Sequence, residues 1–251
     1  MVYKVAVIPG DGVGKEVLNE GIKIIDKISE IDEFKVEWVE FPHGAEHYLE
    51  TKELMDEKTL KEIKSKCNAI YFGTFGDPNV DPGVLETGII LNTKLFFDQY
   101  VNLRPIKLFP GIDCPVMNKS HEDIDFSIIR ENTEDFYVGL SGKAKNGRNK
   151  QQHNVVKNLY KVKFGVDVET KGSEIAYQIG LLSKKGCERI LKFAFDYAKA
   201  KNKSLVTAVD KANNMEFYSL WRETADKIEK DYDEINCEYG FVDFVVTQLL
   251  R

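Results

Sequence analysis

Residues 3–41 read YKVAVIPGDGVGKEVLNEGIKIIDKISEIDEFKVEWVEF, and this stretch decides the fold class. The apolar run at residues 3–8 predicts a buried strand, the PGDGVG motif predicts a tight turn, and residues 15–30 predict a helix. Residues 34–41 then alternate between apolar and polar side chains, as a half-buried strand does. A strand, a helix and a second strand in this order indicate two parallel strands joined by a helical crossover.

The same alternation of strands and helices continues to residue 73. Two helical stretches, residues 45–51 and 56–65, precede an apolar strand at residues 69–73. This β-α-β-α-β order predicts an α/β protein whose first lobe is a mostly parallel sheet in a three-layer α/β/α arrangement. Residues 73–88 form a loop rich in Gly, Pro and Asp, and loops of this length are often functional.

Hairpin-like connections replace this alternation after residue 98. The predicted elements, in chain order, are strands at residues 100–109, 125–131 and 158–168, a helix at 185–201 and a strand at 204–209. Residues 215–232 carry apolar side chains at helical spacing, and a last strand precedes Asp243. We therefore predict two domains. Residues 1–98 form a parallel α/β lobe, and residues 99–251 form a mixed α/β lobe.

The composition of the chain argues against several functional classes. A formal net charge of −6 argues against a nucleic-acid-binding protein, and no apolar run is long enough to span a bilayer. We interpret the basic stretch GKAKNGRNK at residues 142–150 as a solvated loop or a subunit-contact arm. The N-terminus lacks the layout of a signal peptide, and the four cysteines lack zinc-site spacing. We therefore expect a cytoplasmic protein.

Five polar side chains stand in otherwise apolar, strand-like or turn-like stretches: Arg104, Arg130, Tyr137, Lys211 and Asp243. Half-buried arginines are suited to the bidentate capture of carboxylates. A lysine and a carboxylate in surroundings of low polarity are common in proton transfer and metal binding. Together these residues predict a pocket for a small, multiply anionic ligand.

Each of these side chains also has a purely structural interpretation. Arg104 precedes a proline and could form a surface ion pair on an edge strand. Tyr137 could be a core tyrosine, and Asp210 could cap a helix beside a solvated Lys211. A single carboxylate such as that of Asp243 is a weak indication of a metal site, because Mg²⁺ usually gathers several oxygen ligands.

The PGDGVG motif also suggests a dinucleotide-binding loop, with glycines at positions 10, 12 and 14. Lys15 stands where the dinucleotide fingerprint has its third glycine, and Asp11 would face a pyrophosphate unfavourably. We interpret the motif as a structural turn that could pack beside a cofactor without cradling its phosphates.

Several segments, taken in order, resemble the isocitrate and isopropylmalate dehydrogenase family, which also includes tartrate/malate dehydrogenases. They are VAVIPGDGVGKEV, FGDPNV, FDQYVNLRPIKLFPG, IIRENTEDFYVG, VDKANNM with the following LWRET, and VDFVVTQLL. The resemblance spans essentially the whole chain. FDQYVNLRP is similar to the tartrate/malate branch, whereas RENTEDFYVG and SKKGCERI are similar to the isocitrate and homoisocitrate branches, so the branch stays open.

The resemblance implies oxidation of a 2-hydroxy di- or tricarboxylic acid by NAD or NADP, followed by loss of the β-carboxylate with the help of Mg²⁺ or Mn²⁺. Carried over by position, Arg104 and Arg130 would clamp the substrate carboxylates. Lys211 would help to remove the hydroxyl proton, and Tyr137 would protonate the enol. Asp243 would be one ligand of the metal ion, which would polarise the C2 oxygen.

Further positions follow from the same resemblance. Thr87 and Asn213 match positions near the nicotinamide and the substrate. Lys94 stands where the family has another substrate-binding arginine, and a lysine keeps the charge but loses the planar fork. Ile89 and Asn92, from the helix that presents Lys94, would contact the third substituent of the substrate.

The family also implies a homodimer, in which Lys211 and Asp243 reach into the partner subunit's pocket and the helix at residues 215–232 lies in the interface. Family members continue past the position of Arg251 with two more metal-binding aspartates and an adenosine-binding loop. That part also completes the sheet of the first lobe, so we expect the first lobe to expose part of its core or an edge.

Two functional hypotheses follow. The first is a metal-dependent, β-decarboxylating dehydrogenase, which the presence of Tyr137 and Lys211 favours. The second is a non-catalytic homologue, a regulatory or assembly subunit that binds a carboxylate through Arg104 and Arg130. The lack of the two further aspartates and of the adenosine loop favours this second hypothesis.

Overall fold

The structure is a computed structural model that describes residues 1–250. The chain divides into two compact units, Met1–Phe97 (unit 1) and Asp98–Arg251 (unit 2). The elements of unit 1 are β1 (Val2–Ile8), α1 (Val13–Ile31), β2 (Lys35–Glu40), α2 (Ala45–Thr51), α3 (Glu57–Lys66), β3 (Ala69–Phe72), a π-helical segment (Glu86–Leu91) and α4 (Asn92–Phe96).

Unit 1 is built on a parallel sheet with the strand order β2-β1-β3. Val2 on β1 lies opposite Lys35 on β2, and Val5 on β1 lies opposite Ala69 on β3. Helices connect these strands, so the predicted parallel α/β arrangement is confirmed. The core of unit 1 forms around the fully buried Ile8 at the end of β1, together with apolar side chains from α3 and the π-helical segment.

Helix α1 exposes an apolar stripe. Its members recur at helical spacing and are 43–70% exposed: Val13, Val17, Ile24, Ile28 and Ile31. An amphipathic helix normally turns such a stripe toward a core. Unit 1 therefore presents apolar surface in the part of the chain that the structure describes.

The PGDGVG motif is a structural turn, held by Asp11. Gly10 adopts a φ of +69°, and a side chain there would overlap the carbonyl oxygen of Thr74. The Asp11 carboxylate is buried and accepts hydrogen bonds from the backbone N–H groups of Ala45 (2.6 Å) and Gly76 (3.0 Å). The acidic side chain thus faces its own backbone and closes the turn against α2.

Unit 2 is richer in strands. Its elements are β4 (Val101–Lys107), β5 (Asp125–Glu131), β6 (Asp135–Ala144), β7 (Gly147–Val156), β8 (Lys161–Thr170), β9 (Ile175–Leu181), α5 (Lys184–Ala200), β10 (Leu205–Asp210), a 3₁₀ turn (Glu216–Tyr218), α6 (Ser219–Glu229), β11 (Asn236–Phe241) and α7 (Val242–Gln248). The pairs β4–β5, β6–β9 and β7–β8 are antiparallel, and β10–β11 is parallel. This confirms a mixed α/β character.

Two predictions for unit 2 need correction. The basic stretch at residues 142–150 is not a loop, because it covers the end of β6, a tight turn and the start of β7. Gly147 makes the turn possible with a φ of +104°, and Arg148 on β7 is held by an ion pair with Asp167 on β8. Asp243 is not in a strand-like or turn-like stretch but in the first turn of α7.

Helices α5 and α6 pack against each other around a small apolar core. Its central members are Leu191 and Phe195 on α5 and Ala225 on α6, each no more than 1% exposed. Among residues 1–250, no helix combines the length and apolar character that a membrane crossing requires.

A buried carboxylate fixes the start of α5. Glu134 is 1% exposed and accepts hydrogen bonds from the backbone N–H (2.8 Å) and the hydroxyl (2.6 Å) of Ser183. Ser183 is the N-cap of α5, and its hydroxyl oxygen accepts a hydrogen bond from the Gly186 N–H at 3.0 Å. Burial raises the pKa of Glu134, and the hydrogen bonds from Ser183 oppose that rise.

We expect Gly186→Ala to destabilise the protein by about 2 kcal/mol, although alanine is favoured over glycine by about 1 kcal/mol in a helix interior. A methyl group at this position would overlap the carboxylate of Glu134, which cannot move aside while Ser183 holds it. Urea unfolding measures the change. In a Glu134→Ala background the same substitution should be neutral or stabilising. Equal effects in both backgrounds would contradict this explanation.

Candidate active site

The antiparallel pairing of β4 and β5 brings the two predicted arginines together. Asn102 on β4 lies directly opposite Arg130 on β5, and Arg104 follows two residues later on the same face of β4. Arg104 Nε donates a hydrogen bond to Asn102 Oδ1 (3.2 Å), and Arg130 Nη2 donates one to Asn132 Oδ1 (3.2 Å). Asn102 Nδ2 donates to Asn132 Oδ1 at 3.5 Å, so two amides join the two guanidinium groups.

Arg104 and Arg130 differ from the other arginines among residues 1–250 because they have no carboxylate partner. The other three form ion pairs: Arg148 with Asp167, Arg189 with Asp98 and Glu131, and Arg222 with Asp210. Both Arg104 and Arg130 are exposed, which corrects the expectation of half-buried side chains and argues against a surface ion pair for Arg104. Two neighbouring guanidinium groups without a counter-charge are suited to an anionic ligand.

Tyr137 joins this arginine pair. The Arg130 guanidinium carbon lies 5.6 Å from the centre of the Tyr137 ring, and the backbone N–H of Tyr137 donates to the Glu134 carbonyl oxygen at 3.1 Å. The side chain is 43% exposed, and its hydroxyl forms no hydrogen bond within residues 1–250. Tyr137 is therefore not a core tyrosine, and its hydroxyl is available to a ligand.

A buried polar turn fixes the distance between Arg130 and Tyr137. The Glu131 carboxylate accepts hydrogen bonds at 2.6 Å from the backbone N–H groups of Thr133 and Glu134. Arg189 on α5 donates to the Thr133 hydroxyl at 3.0 Å. Glu131, Thr133 and Arg189 were not predicted from the sequence, although Glu131 and Thr133 stand in a run of polar residues directly after an apolar strand, which could have indicated them.

Lys211 and Asp243 form a second cluster at the carboxyl ends of β10 and β11. Lys211 Nζ forms a short ion pair with the Asp243 carboxylate. The Lys211 side chain is 25% exposed and that of Asp243 is 67% exposed, so Asp243 is not the costly buried charge that its apolar neighbours suggested. The aspartate is in solvent because α7 has no buried residue, and its apolar neighbours Val242 and Phe244 are themselves exposed.

The turn that carries Lys211 is fixed by a buried ion pair. The Asp210 side chain is fully buried, and it accepts hydrogen bonds from Arg222 Nε at 2.7 Å and Nη2 at 3.0 Å. Asp210 Oδ1 also accepts from the Ala212 N–H at 2.9 Å, which holds the turn. No helix begins here, since the next element is a 3₁₀ turn whose N-cap is Met215, so the interpretation of Asp210 as a helix cap is wrong. Arg222 in turn lies 5.0 Å from the ring centre of Tyr239 on β11.

We expect Arg222→Met to lower the free energy of unfolding by about 3 kcal/mol, because it leaves the carboxylate of Asp210 buried without a counter-charge. Arg148→Met removes an ion pair between exposed side chains and serves as the matched control, with little expected change. Urea unfolding of both variants makes the comparison. Equal stabilities for the two variants would show that the Asp210–Arg222 pair does not hold this turn.

The two clusters are not in direct contact. Within residues 1–250, no hydrogen bond or ion pair joins Arg104, Arg130 or Tyr137 to Lys211 or Asp243. Their supporting segments do meet, because the Tyr218 hydroxyl donates a short hydrogen bond to Asp135. Burial, followed by this hydrogen bond, raises the pKa of Tyr218.

The predicted site residues of unit 1 lie on or beside one helical segment. Thr87 in the π-helical segment is exposed, and Lys94 on α4 is partly buried. Ile89 is 1% exposed within the core, so its burial argues against the predicted contact with a substrate. Asn92 is partly buried, and its amide donates to the Met55 carbonyl oxygen at 2.6 Å. In unit 2, Asn213 is exposed in the turn after β10.

Comparison with known proteins gives the family. Residues 4–251 match the family model described as isocitrate/isopropylmalate dehydrogenase. The chain belongs to this family. It is 34% identical over 249 residues to a 3-isopropylmalate dehydrogenase of Streptomyces griseus, covering 97% of this chain and 64% of that protein. It is 32% identical over 254 residues to a D-malate dehydrogenase [decarboxylating] of Escherichia coli, covering 98% of this chain and 63% of that protein.

The fold agrees with this family. The crystal structure of isocitrate dehydrogenase from Methylococcus capsulatus superposes with a TM-score of 0.75 at 25% identity, covering 99% of this chain and 63% of that chain. The chain therefore spans less than two thirds of the length of these isocitrate/isopropylmalate dehydrogenase relatives.

The described residues do not form the metal site that this dehydrogenase family implies. No three His, Cys, Asp or Glu side chains among residues 1–250 are grouped so that they could hold a metal ion. Asp243 contributes a single carboxylate, which is already paired with Lys211. Because Mg²⁺ and Mn²⁺ prefer several oxygen ligands, this set alone does not fit the ion.

Proposed function

We propose that the chain binds a 2-hydroxy di- or tricarboxylic acid and takes part in its NAD(P)-linked oxidative decarboxylation. The supporting observation is the pair of exposed guanidinium groups of Arg104 and Arg130, which lack a carboxylate partner and lie beside the unbonded hydroxyl of Tyr137. Substrates of the isopropylmalate, isocitrate or homoisocitrate, and malate or tartrate types all carry the two carboxylates that such a clamp would bind.

Each residue of the proposed site has one role. Arg104 and Arg130 would orient the substrate through its carboxylates. Lys211 would help to remove the proton of the C2 hydroxyl, and Tyr137 would donate a proton to the enol that remains after CO₂ leaves. NAD⁺ or NADP⁺, when bound, would accept the hydride from C2. Thr87 and Asn213, both exposed, are the proposed contacts near the nicotinamide and substrate.

We further propose that the active form is a homodimer. Lys211 and Asp243 make no contact with the arginine pair of their own chain, which is the arrangement expected if they serve a partner's pocket. Helix α6 would lie in this interface. Lys94 and Asn92 are further proposed contacts of the substrate. Light scattering of the purified chain tests the oligomeric state, and a monomer at working concentrations would contradict this arrangement.

A second candidate function is a carboxylate-binding homologue without turnover. The observation that favours it is the isolated carboxylate of Asp243, which does not make a metal site among the described residues. Such a protein would need the arginine pair but neither Tyr137 nor Lys211 as proton-transfer groups.

One experiment separates the two candidates. The chain is incubated with D-malate, 3-isopropylmalate, isocitrate or tartrate, with Mg²⁺ or Mn²⁺ and with NAD⁺ or NADP⁺, while absorbance of the reduced nicotinamide is followed. Calorimetric titration of the same acids measures binding in parallel. Reduction of the nicotinamide supports the dehydrogenase. Binding without reduction supports the carboxylate-binding homologue, and the absence of both contradicts the proposed site.

A further inference from the structure

Two asparagines, and no carboxylate, anchor the arginine pair. Asn102 Oδ1 accepts a hydrogen bond from Arg104 Nε at 3.2 Å. Asn132 Oδ1 accepts one from Arg130 Nη2 at 3.2 Å and one from Asn102 Nδ2 at 3.5 Å. The other described arginines are anchored by aspartate or glutamate, so these amide anchors set the pair apart.

The orientation of both amides is fixed by a backbone group. Asn132 is 5% exposed, and its Nδ2 donates to the Gln99 carbonyl oxygen at 3.5 Å. Since a carbonyl oxygen can only accept, the Asn132 amide must turn Oδ1 toward Arg130 and Asn102. Asn102 must then present Nδ2 to Asn132 and Oδ1 to Arg104. Hydrogen-bond donation thus runs in one direction, from the guanidinium groups through the two amides to the backbone carbonyl oxygen of Gln99.

The chemical type of the anchor decides the charge of the site. A carboxylate in the place of either amide would neutralise the adjacent guanidinium and compete with the ligand. A neutral amide oxygen satisfies one N–H of the arginine and leaves its full charge for an anion. Holding two such charges close together is unfavourable without a ligand, and a ligand that carries two negative charges removes that repulsion.

We propose that Asn102 and Asn132 are positioning residues that hold Arg104 and Arg130 in place with their charges uncompensated, so that the site binds dianions. This inference rests on the proposed function, because it assumes that the arginine pair is the ligand site. In this proposal, two neutral side chains keep the arginine pair both ordered and fully charged.

Asn102→Asp is the decisive variant, because it changes the charge and almost nothing of the shape. Asn102 is only partly buried, and the new carboxylate would face Arg104 and Arg130. D-malate binding, measured by calorimetry, should weaken by roughly thirty-fold or more, whereas Asn102→Ala should weaken it by only about five-fold. Asn154→Asp on β7, an exposed position, is the matched control for added charge and should bind as the wild type does.

Thermal unfolding distinguishes a positioning role of Asn102 from a merely structural one, because a structural role predicts that binding and stability are lost together. Asn102→Asp loses the hydrogen bond that Asn102 Nδ2 donates to Asn132 but gains an ion pair with Arg104, so its melting temperature should stay close to that of the wild type while its binding is lost. If Asn102→Asp and Asn102→Ala lose binding and stability to the same extent, Asn102 is only structural and the proposal is overturned.

Inorganic sulfate, titrated alongside D-malate, separates this proposal from the proposed function. Wild-type binding of sulfate but not D-malate, with sulfate binding lost in Asn102→Asp, would reject the proposed substrate class and support the amide anchors. Wild-type binding of D-malate that Asn102→Asp retains would support the substrate class and overturn the amide anchors. Binding of neither anion would overturn both.

Discussion

Replacing Arg130 with methionine should weaken the binding of D-malate or 3-isopropylmalate about a thousand-fold. Arg130 has no carboxylate partner in the described chain, so its charge is available to the ligand, and removal of a charged hydrogen-bonding partner costs about 4 kcal/mol of binding free energy. Arg130→Lys should fall between the wild type and Arg130→Met, because a lysine keeps the charge but cannot form the bidentate contact.

Calorimetric titration measures this loss, with Arg148→Met as the control. Arg148 is also on a strand of unit 2, but its charge is already paired with Asp167, so its removal should leave binding unchanged. The stability of Arg130→Met should change little, because the side chain is exposed and contacts only Asn132 and the ring of Tyr137. A variant that still binds with wild-type affinity would show that the anion site lies elsewhere.

Lys211→Met should lower the rate of nicotinamide reduction by about a thousand-fold, if the chain has the proposed dehydrogenase activity, because a positioned general base accelerates proton transfer by about 10²–10⁴-fold. Binding of the dicarboxylate should change by no more than about threefold, since in the proposed site Arg104 and Arg130 hold the carboxylates and Lys211 acts on the C2 hydroxyl. The expected signature is therefore a fall in kcat with little change in affinity.

Steady-state kinetics and calorimetry on the same preparation test this expectation, with Lys163→Met on the exposed face of β8 as the control. The control should retain full turnover and full binding. If Lys211→Met also turns over at the wild-type rate, Lys211 is not the base. If its affinity falls together with its rate, the lysine binds the substrate and does not move its proton.

The parallel lobe could be predicted because its signal is local. Strands β1, β2 and β3 are short apolar or alternating runs separated by helical spacing, and the right-handed crossover leaves few ways to arrange them. The mixed lobe was predicted less completely. Strand β7 was assigned to a loop because the lysine, arginine and asparagine residues at its start hide the strand pattern, and only pairing with β8 shows that they stand on a hairpin.

The site residues, too, could be predicted only in part from the sequence. Arg130 and Tyr137 were predicted to belong to one pocket, and they do lie together, with the Arg130 guanidinium carbon 5.6 Å from the Tyr137 ring centre. Their exposure was predicted wrongly, because apolar neighbours in sequence do not determine which face of a strand is covered. Ile89 was predicted to contact the substrate, but it lies in the core, because a helical residue near a predicted site can point inward. Asn132 was missed because an amide has no charge to mark it.

All the residues proposed to move protons or clamp carboxylates lie in unit 2, whereas Lys94, the position where the chain departs from the family pattern, lies in unit 1. Under the proposed function, the residues that carry out the reaction and the segment that selects the substrate lie on separate stretches of polypeptide. Changes in residues 86–96 could then redirect the enzyme to another hydroxy acid during evolution without disturbing the acid–base groups. Laboratory evolution of a new substrate preference should accordingly begin with that short segment.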